Sequence, residues 1–143
     1  MDENRTVALP DPQKNRKPES RREKRVFTGR IANLQLLLEK DGALFEFALP
    51  PTAQYVYVGR ETQTDDQKIH IDLSSFNAQN LGVSRTHARF ERVGSRLFIR
   101  DLNSTNGTWL NGTRLVGMNV NEVFHGDQIE FGRLTSKLYV KSN

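Results

Sequence analysis

Short apolar-alternating runs, each closed by a glycine-containing turn, constrain this chain more than any other feature. Asp41-Gly42 separates LQLLLEK from ALFEFAL, and Val93-Gly94-Ser95 separates ARFER from RLFIR. Asn111-Gly112 separates TWL from TRL, and Gly126-Asp127 precedes QIEFG. Asp-Gly and Asn-Gly pairs supply the positive φ angles of tight hairpin turns, and period-two alternation is the mark of a half-buried strand. No helical periodicity outlasts a single turn. An all-β sandwich is the architecture that such a chain can build.

The remaining runs fit the same pattern. QYVYVGR reads as a third strand ending at Gly59-Arg60, and Pro50-Pro51 closes the strand before it. After the polar loop ETQTDDQ, KIHIDL reads as a short fourth strand with Ile69 and Ile71 inward. SSFNAQNLG reads as an irregular connection, VNEVF as an irregular run, and LTSKLYVK as the last strand. The two halves show no extended self-similarity.

At 143 residues the chain supports one domain with a core of its own. It has no cysteine, which excludes a disulfide framework, a thiolate nucleophile and a cysteine-based zinc site. His70 and His125 lack ligand spacing, so no metal or other cofactor is expected. Residues 1–28 read as a disordered basic tail, polar and proline-containing, and residues 29–143 as the folded domain. The tail also carries the charge. Residues 1–30 hold nine Lys/Arg against five Asp/Glu, and the rest of the chain holds twelve of each. A nucleic-acid-binding face on the folded part is therefore not expected. The cluster Arg21-Arg22-Glu23-Lys24-Arg25 could touch nucleic acid or anionic lipid, though it lacks interleaved aromatics and fits a solvated linker better. No apolar run approaches a membrane span and no secretory signal opens the chain, so a cytoplasmic protein is expected.

The most informative stretch is GVSRTHARFERVGSRLFIRDLNSTNGTWLNG, residues 82–112. Ala88, Phe90, Leu97 and Ile99 carry the apolar beat of a hairpin. Its outer ends bring Ser84, Arg85 and His87 beside Asn103, Ser104, Thr105, Asn106 and Thr108. Hydroxyls, amides and a guanidinium without a paired acid and base are suited to holding an anion. Ser84, His87 and Asp101 are the right residue types for a hydrolase triad, but Ser84 and His87 lie three apart on one loop. No nucleophile elbow surrounds the serine, so no enzyme activity is expected.

Taken together, Gly59-Arg60, Ser84-Arg85-Thr86-His87, Asn103 through Thr108, and Asn111-Gly112 resemble the forkhead-associated (FHA) domain of the bacterial single-domain kind. The resemblance covers roughly residues 31–142. It implies an FHA-type β-sandwich of about eleven strands with the ligand loops at one end, and recognition of phosphothreonine on a partner protein in Ser/Thr kinase signalling. By the same resemblance Arg60 and Ser84 hold the phosphate and Asn106 hydrogen-bonds the peptide main chain. Gly59 permits a special backbone shape, and His87 braces the neighbouring loops.

The residues support those roles physically. A phosphate dianion needs converging donors, at least one of them charged. Arg60 and Arg85 offer guanidinium groups, Ser84 a hydroxyl, Thr105 a hydroxyl or backbone N–H, and Asn106 an amide. Gly107, Asn111 and Gly112 read as structural turn residues. Gly82 and Val83 carry no charge, so an aliphatic rather than acidic residue is expected at the third position after the phosphothreonine. Thr6, in RTVALP, is a candidate phosphorylation site that could fold back onto the chain's own pocket. A monomer is expected. The alternative reading is a phosphate-independent protein-interaction scaffold.

Overall fold

The computed structural model describes residues 31–38, 42–48, 53–60 and 70–142. The expected tail, the loop 61–67, and the residues Asp41, Ile69 and Thr6 lie outside them. In chain order the strands are β1 (Ile31–Leu38), β2 (Ala43–Ala48), β3 (Tyr55–Gly59) and β4 (His70–Asp72). A 3₁₀ turn (Ser74–Phe76) follows, then β5 (Ala88–Val93), β6 (Arg96–Asp101), β7 (Thr108–Leu110) and β8 (Thr113–Arg114). The chain ends on β9 (Val120–Glu122), β10 (Gln128–Phe131) and β11 (Leu134–Ser142).

Two sheets result. One has the order β9-β6-β5-β3-β4, the other β2-β1-β11-β10-β7-β8. Their inner faces carry the alternating apolar residues that the sequence displays. Val56, Val58, Ala88, Phe90, Leu97 and Ile99 of the first sheet are buried with Leu34, Leu36, Leu38, Ile129, Phe131 and Leu138 of the second. Burying one such side chain contributes about 1.5–3 kcal/mol, so this layer dominates the stability. One inward position of β11 is polar. The Ser136 hydroxyl is fully buried and donates to the Ile129 carbonyl at 2.8 Å, which satisfies it within the sheet.

The outer face of the first sheet is an arginine-aromatic surface. Glu91 accepts from Arg89 at 2.7 Å and from Arg100 at 2.6 Å, and the Arg89 guanidinium lies 4.2 Å from the Tyr55 ring centroid.

Three features differ from, or go beyond, the sequence expectation. The run read as irregular before Phe124 contains β9, which pairs with β6 from Val120↔Arg100 to Glu122↔Phe98. SSFNAQNLG opens on the 3₁₀ turn. β4 pairs with β3 in parallel, Val58 opposite Ile71, and places Asp72 beside Gly59. Parallel pairing depends on the crossover path, which local alternation does not encode.

Strand direction then decides which loops share an end. Ala88 pairs with Asp101, Thr108 with Phe131, and Phe131 with Leu134. Gly59-Arg60, the 82–87 loop, the 102–107 loop, the Leu115–Asn119 run and the Gly132-Arg133 turn therefore lie at one end. The Asn111-Gly112 turn lies at the other, with φ angles of 50° and 87° that fit a tight hairpin. At that far end Ile31 pairs with Ser142, so the two limits of the described fold stand side by side.

Candidate recognition site

Three loops converge through backbone contacts that leave little room. Gly59 ends β3 directly beneath the Ser84-Arg85 backbone. A Cβ there would stand 2.0 Å from the Arg85 carbonyl oxygen and 2.9 Å from that of Ser84. Its φ is not positive. The glycine is required for close approach rather than for an unusual backbone conformation, which corrects the reason given by the resemblance. The next residue uses this proximity. The Arg60 N–H donates to the Ser84 carbonyl at 3.3 Å, and its Nε donates to the Val83 carbonyl at 2.8 Å. The guanidinium is thus held against the 82–85 loop with its terminal nitrogens unpaired among the described residues.

His87 is fully buried between the loops. Its Nδ1 accepts the Ser84 backbone N–H at 3.0 Å, and its Nε2 lies 2.8 Å from the Gly107 carbonyl, which can only accept. The ring is therefore the neutral Nε2–H tautomer. Burial holds its pKa below the ordinary imidazole value, against the Gly107 carbonyl and the Asp101 carboxylate, which raise it. Because both ring nitrogens serve backbone groups, neither faces the Ser84 hydroxyl, and Ser84, His87 and Asp101 do not form a triad.

Asp101 shapes the third loop from below. Its Oδ1 accepts the Ser104 hydroxyl at 2.6 Å and the Thr108 hydroxyl at 2.7 Å, while Oδ2 accepts the Ser104 N–H at 3.1 Å. Burial raises its pKa, but these donors outweigh burial and keep the carboxyl below its ordinary value. The Ser104 hydroxyl in turn accepts the Gly107 N–H at 2.9 Å. Gly107 has a φ of 91° and lies under the Arg114 guanidinium, which also sits 5.1 Å from the Trp109 ring centroid.

On this frame the expected ligand donors come together. Thr105 donates its backbone N–H to the Ser84 hydroxyl oxygen at 3.1 Å, which leaves the Thr105 hydroxyl, rather than its N–H, available. Ser84 has its oxygen occupied on the protein side, so its own proton points away from Thr105. Arg85 is exposed, and its guanidinium has no partner among the described residues. Asn106 is exposed and donates its amide to the Gly82 carbonyl at 2.9 Å, with its amide oxygen uncommitted. Gly82 has a φ of 84°, and a Cβ there would meet that amide at 2.7 Å.

Asn111 and Gly112 stand apart. Asn111 donates to Asp127 at 3.1 Å and accepts the Gln128 N–H at 2.9 Å, tying the far end of β7 to β10.

The sequence reading missed the Gly132-Arg133 turn. Gly132 donates to the Gly107 carbonyl at 2.9 Å, and Arg133 donates its backbone N–H to Leu81 at 2.8 Å and its guanidinium to the Asn80 carbonyl at 2.6 Å. The turn supports the wall that Asn106 leans on. Its only sequence signal was a glycine between two strands. Among the described residues, no group of three or more His, Asp or Glu could hold a metal, and no helix is long and apolar enough to cross a membrane.

The FHA domain family model matches residues 56–132, more than half of the chain, a span that includes Gly59-Arg60, the 82–87 loop and the 102–107 loop. The chain belongs to the FHA domain family. Protein FraH of Nostoc sp. (strain PCC 7120) is 33% identical to this FHA chain over 88 residues, an alignment that covers 62% of the chain and 29% of FraH. The chain thus spans less than a third of that relative's length. Among solved structures, the FHA domain of an Arabidopsis thaliana hypothetical protein is 27% identical, with a TM-score of 0.56 over 81% of this chain and 91% of its own. The MEK1 FHA domain in complex with a HOP1 phosphothreonine peptide is 23% identical, with a TM-score of 0.55 over 76% of this chain and 97% of its own. The two-sheet arrangement of this FHA domain is shared with both.

Proposed function

We propose that this FHA domain is a phosphothreonine-dependent protein-binding module that recognises a phosphorylated partner in Ser/Thr kinase signalling and carries out no chemistry. One observation carries the reading. The Ser84 oxygen is taken up by the Thr105 N–H, so the Ser84 proton is left to donate elsewhere, on the same loop that carries the exposed Arg85 and against which Arg60 is held through its Nε bond to the Val83 carbonyl. Such an arrangement suits a dianion with three acceptor oxygens. In this reading Arg60, Ser84 and Arg85 take the phosphate. The Thr105 hydroxyl faces the ligand, and Asn106 exchanges its bond to Gly82 for the peptide main chain. That the MEK1 FHA domain is found with a phosphothreonine peptide supports the same class of ligand.

The decisive comparison is one peptide carrying threonine, phosphothreonine or phosphoserine, titrated by calorimetry into the whole chain. Binding of the phosphothreonine form alone is expected. Equal binding of the unmodified peptide would replace this reading with a phosphate-independent scaffold.

We extend the proposal to a monomeric, cytoplasmic module whose Thr6, once phosphorylated, occupies its own pocket. Ile31 lies at the end opposite the site, so a Thr6 that reaches the pocket has at least the length of β1 to cover. The eight residues of β1 span about 27 Å and the chain from Thr6 to Ile31 reaches up to about 80 Å when extended, so length permits it. Kinase treatment followed by NMR is expected to shift Ser84 and Asn106 in the wild-type chain. Shifts that persist in Thr6→Ala would sink the switch.

A further inference from the structure

The chain contains two Asn-Gly pairs, and the fold holds them differently. In an Asn-Gly pair the glycine nitrogen can close a five-membered ring onto the asparagine side-chain carbon, because no Cβ stands in its way. At Asn111-Gly112 that closure is opposed. The Asn111 amide donates to Asp127 at 3.1 Å and accepts the Gln128 N–H at 2.9 Å, and the Asn111 backbone N–H donates to the Gln128 carbonyl at 2.8 Å. The side chain cannot turn toward Gly112 without giving up both of its bonds.

Asn106-Gly107 is held less firmly, and it lies beside a base. Asn106 is exposed, and its amide nitrogen donates to the Gly82 carbonyl at 2.9 Å. The Gly107 N–H donates to Ser104 Oγ at 2.9 Å, and that hydroxyl donates to Asp101 Oδ1 at 2.6 Å. A proton leaving the Gly107 nitrogen therefore has a path through one hydroxyl to a carboxylate. Burial opposes the charge on Asp101, but the hydroxyl and backbone donors around it keep the group ionised and able to accept. The Thr108 hydroxyl and the Ser104 N–H fix that carboxylate in place. A base held in line with the proton it removes is the geometry of general-base assistance.

We propose that Asn106 is a site of spontaneous deamidation, assisted by the Asp101–Ser104–Gly107 relay, and that its conversion closes the recognition site irreversibly. The Gly107 nitrogen bonds to Asn106 Cγ as its proton passes to Ser104 and the Ser104 proton passes to Asp101. The bond between Cγ and the side-chain nitrogen then breaks, and the proton returns with that nitrogen, which leaves as ammonia. Solvent water opens the cyclic imide. Attack at the side-chain carbonyl gives aspartate, and attack at the backbone carbonyl gives isoaspartate with a lengthened main chain. This is one conversion of the chain itself, not turnover of a ligand.

Either product removes the amide donor that bonds Gly82 and leaves a carboxylate next to Thr105, whose N–H holds Ser84. Negative charge at that position repels a dianion. The loss of recognition rests on the phosphothreonine reading above, whereas the modification does not. A bound peptide whose main chain takes the Asn106 amide holds it away from ring closure, so occupied domains persist and idle ones lapse.

The test incubates the full chain at pH 8, folded in buffer and unfolded in guanidinium chloride. Trypsin releases residues 101–114 as one peptide containing both pairs, and fragment mass spectrometry locates each conversion of amide to acid. Unfolded, the two asparagines are expected to convert at similar rates. Folded, Asn106 is expected to convert no more slowly than it does unfolded, and Asn111 about tenfold more slowly than Asn106 or less. Slower conversion of Asn106 in the fold, or equal conversion at the two sites there, overturns the proposal without recourse to any variant. Ser104→Ala is expected to slow Asn106 by about tenfold through loss of the acceptor, and Ser104→Thr to restore the rate. Continued protection of Asn111 shows that the variant is folded. A hydroxyl that only tied the loop down would give faster conversion on removal, and that result overturns the relay. Asn106→Asp is expected to lower affinity for a phosphothreonine peptide by about tenfold in fluorescence anisotropy. Unchanged affinity overturns the closure of the site. Failure of the wild type to bind any phosphopeptide overturns the phosphothreonine reading, and the masses still decide the deamidation.

Discussion

The Thr105 backbone N–H reaches the Ser84 hydroxyl oxygen across 3.1 Å, and that bond joins the two loops that flank the β5–β6 hairpin at its open end. It fixes the orientation of the serine before any ligand arrives, so recognition need not spend free energy ordering it. Ser84→Ala removes both this tie and the outward donor. Phosphopeptide affinity is expected to fall by about 1.5–3 kcal/mol, the range for a hydrogen bond to a charged group, and folding stability by about 1 kcal/mol. Calorimetry and urea denaturation on the same preparation separate the two effects.

Arg60→Ala is expected to cost about 2–4 kcal/mol of phosphopeptide affinity, because it removes one partner of a charged contact. Arg60→Lys should recover only part, since an ammonium keeps the charge without the planar fork and cannot hold the Val83 carbonyl through Nε. Full affinity in Arg60→Ala would remove this residue from the site.

Gly59→Ala tests the loop packing. The new Cβ would collide with main-chain atoms rather than with a flexible side-chain tip, so β3 and the Ser84-Arg85 loop must separate. A loss of about 2–4 kcal/mol of stability is expected from this overpacking, read as a lower urea midpoint with little change in slope. A midpoint equal to that of the wild type would show that the loop yields freely.

His87 gives the fold an acid sensitivity whose direction is fixed by its surroundings. Its folded pKa lies below the unfolded value of 6.5, so the unfolded chain binds the proton first. The contribution is complete above about pH 6.5 and declines as the pH falls from there through the folded pKa. The physical event is protonation of Nδ1, which would then face the Ser84 N–H, donor against donor. Urea midpoints measured from pH 8 to pH 5 should fall on the acid side, and His87→Gln should flatten that part of the profile while lowering stability throughout.

Much of this was readable before any coordinates. Ala88, Phe90, Leu97 and Ile99 announced both the β5–β6 hairpin and its buried face, because a half-buried strand writes its burial into every second residue. The gathering of Ser84, Arg85 and Asn106 followed from that hairpin. What local sequence could not reveal was the contact between segments far apart in the chain. The need for glycine at position 59 arises from a backbone that returns twenty-five residues later, at Ser84. Arg133 stands beside Asn80 for the same kind of reason, and it brings a guanidinium to a wall that Gly82 and Val83 alone made look uncharged. The short strand β9 escaped notice because three residues, none of them fully buried, leave no alternation to read.

The pairing of Ile31 with Ser142 has a mechanical consequence. A force drawn between Ile31 and Ser142 does not load the hydrogen bonds between β1 and β11 together. It peels them apart one pair at a time, from the end remote from the ligand loops inward. Under tension applied at these two residues the β1–β11 pair would therefore part at low force, as a zip does, and the recognition loops would be the last part of that strand pair to feel the pull.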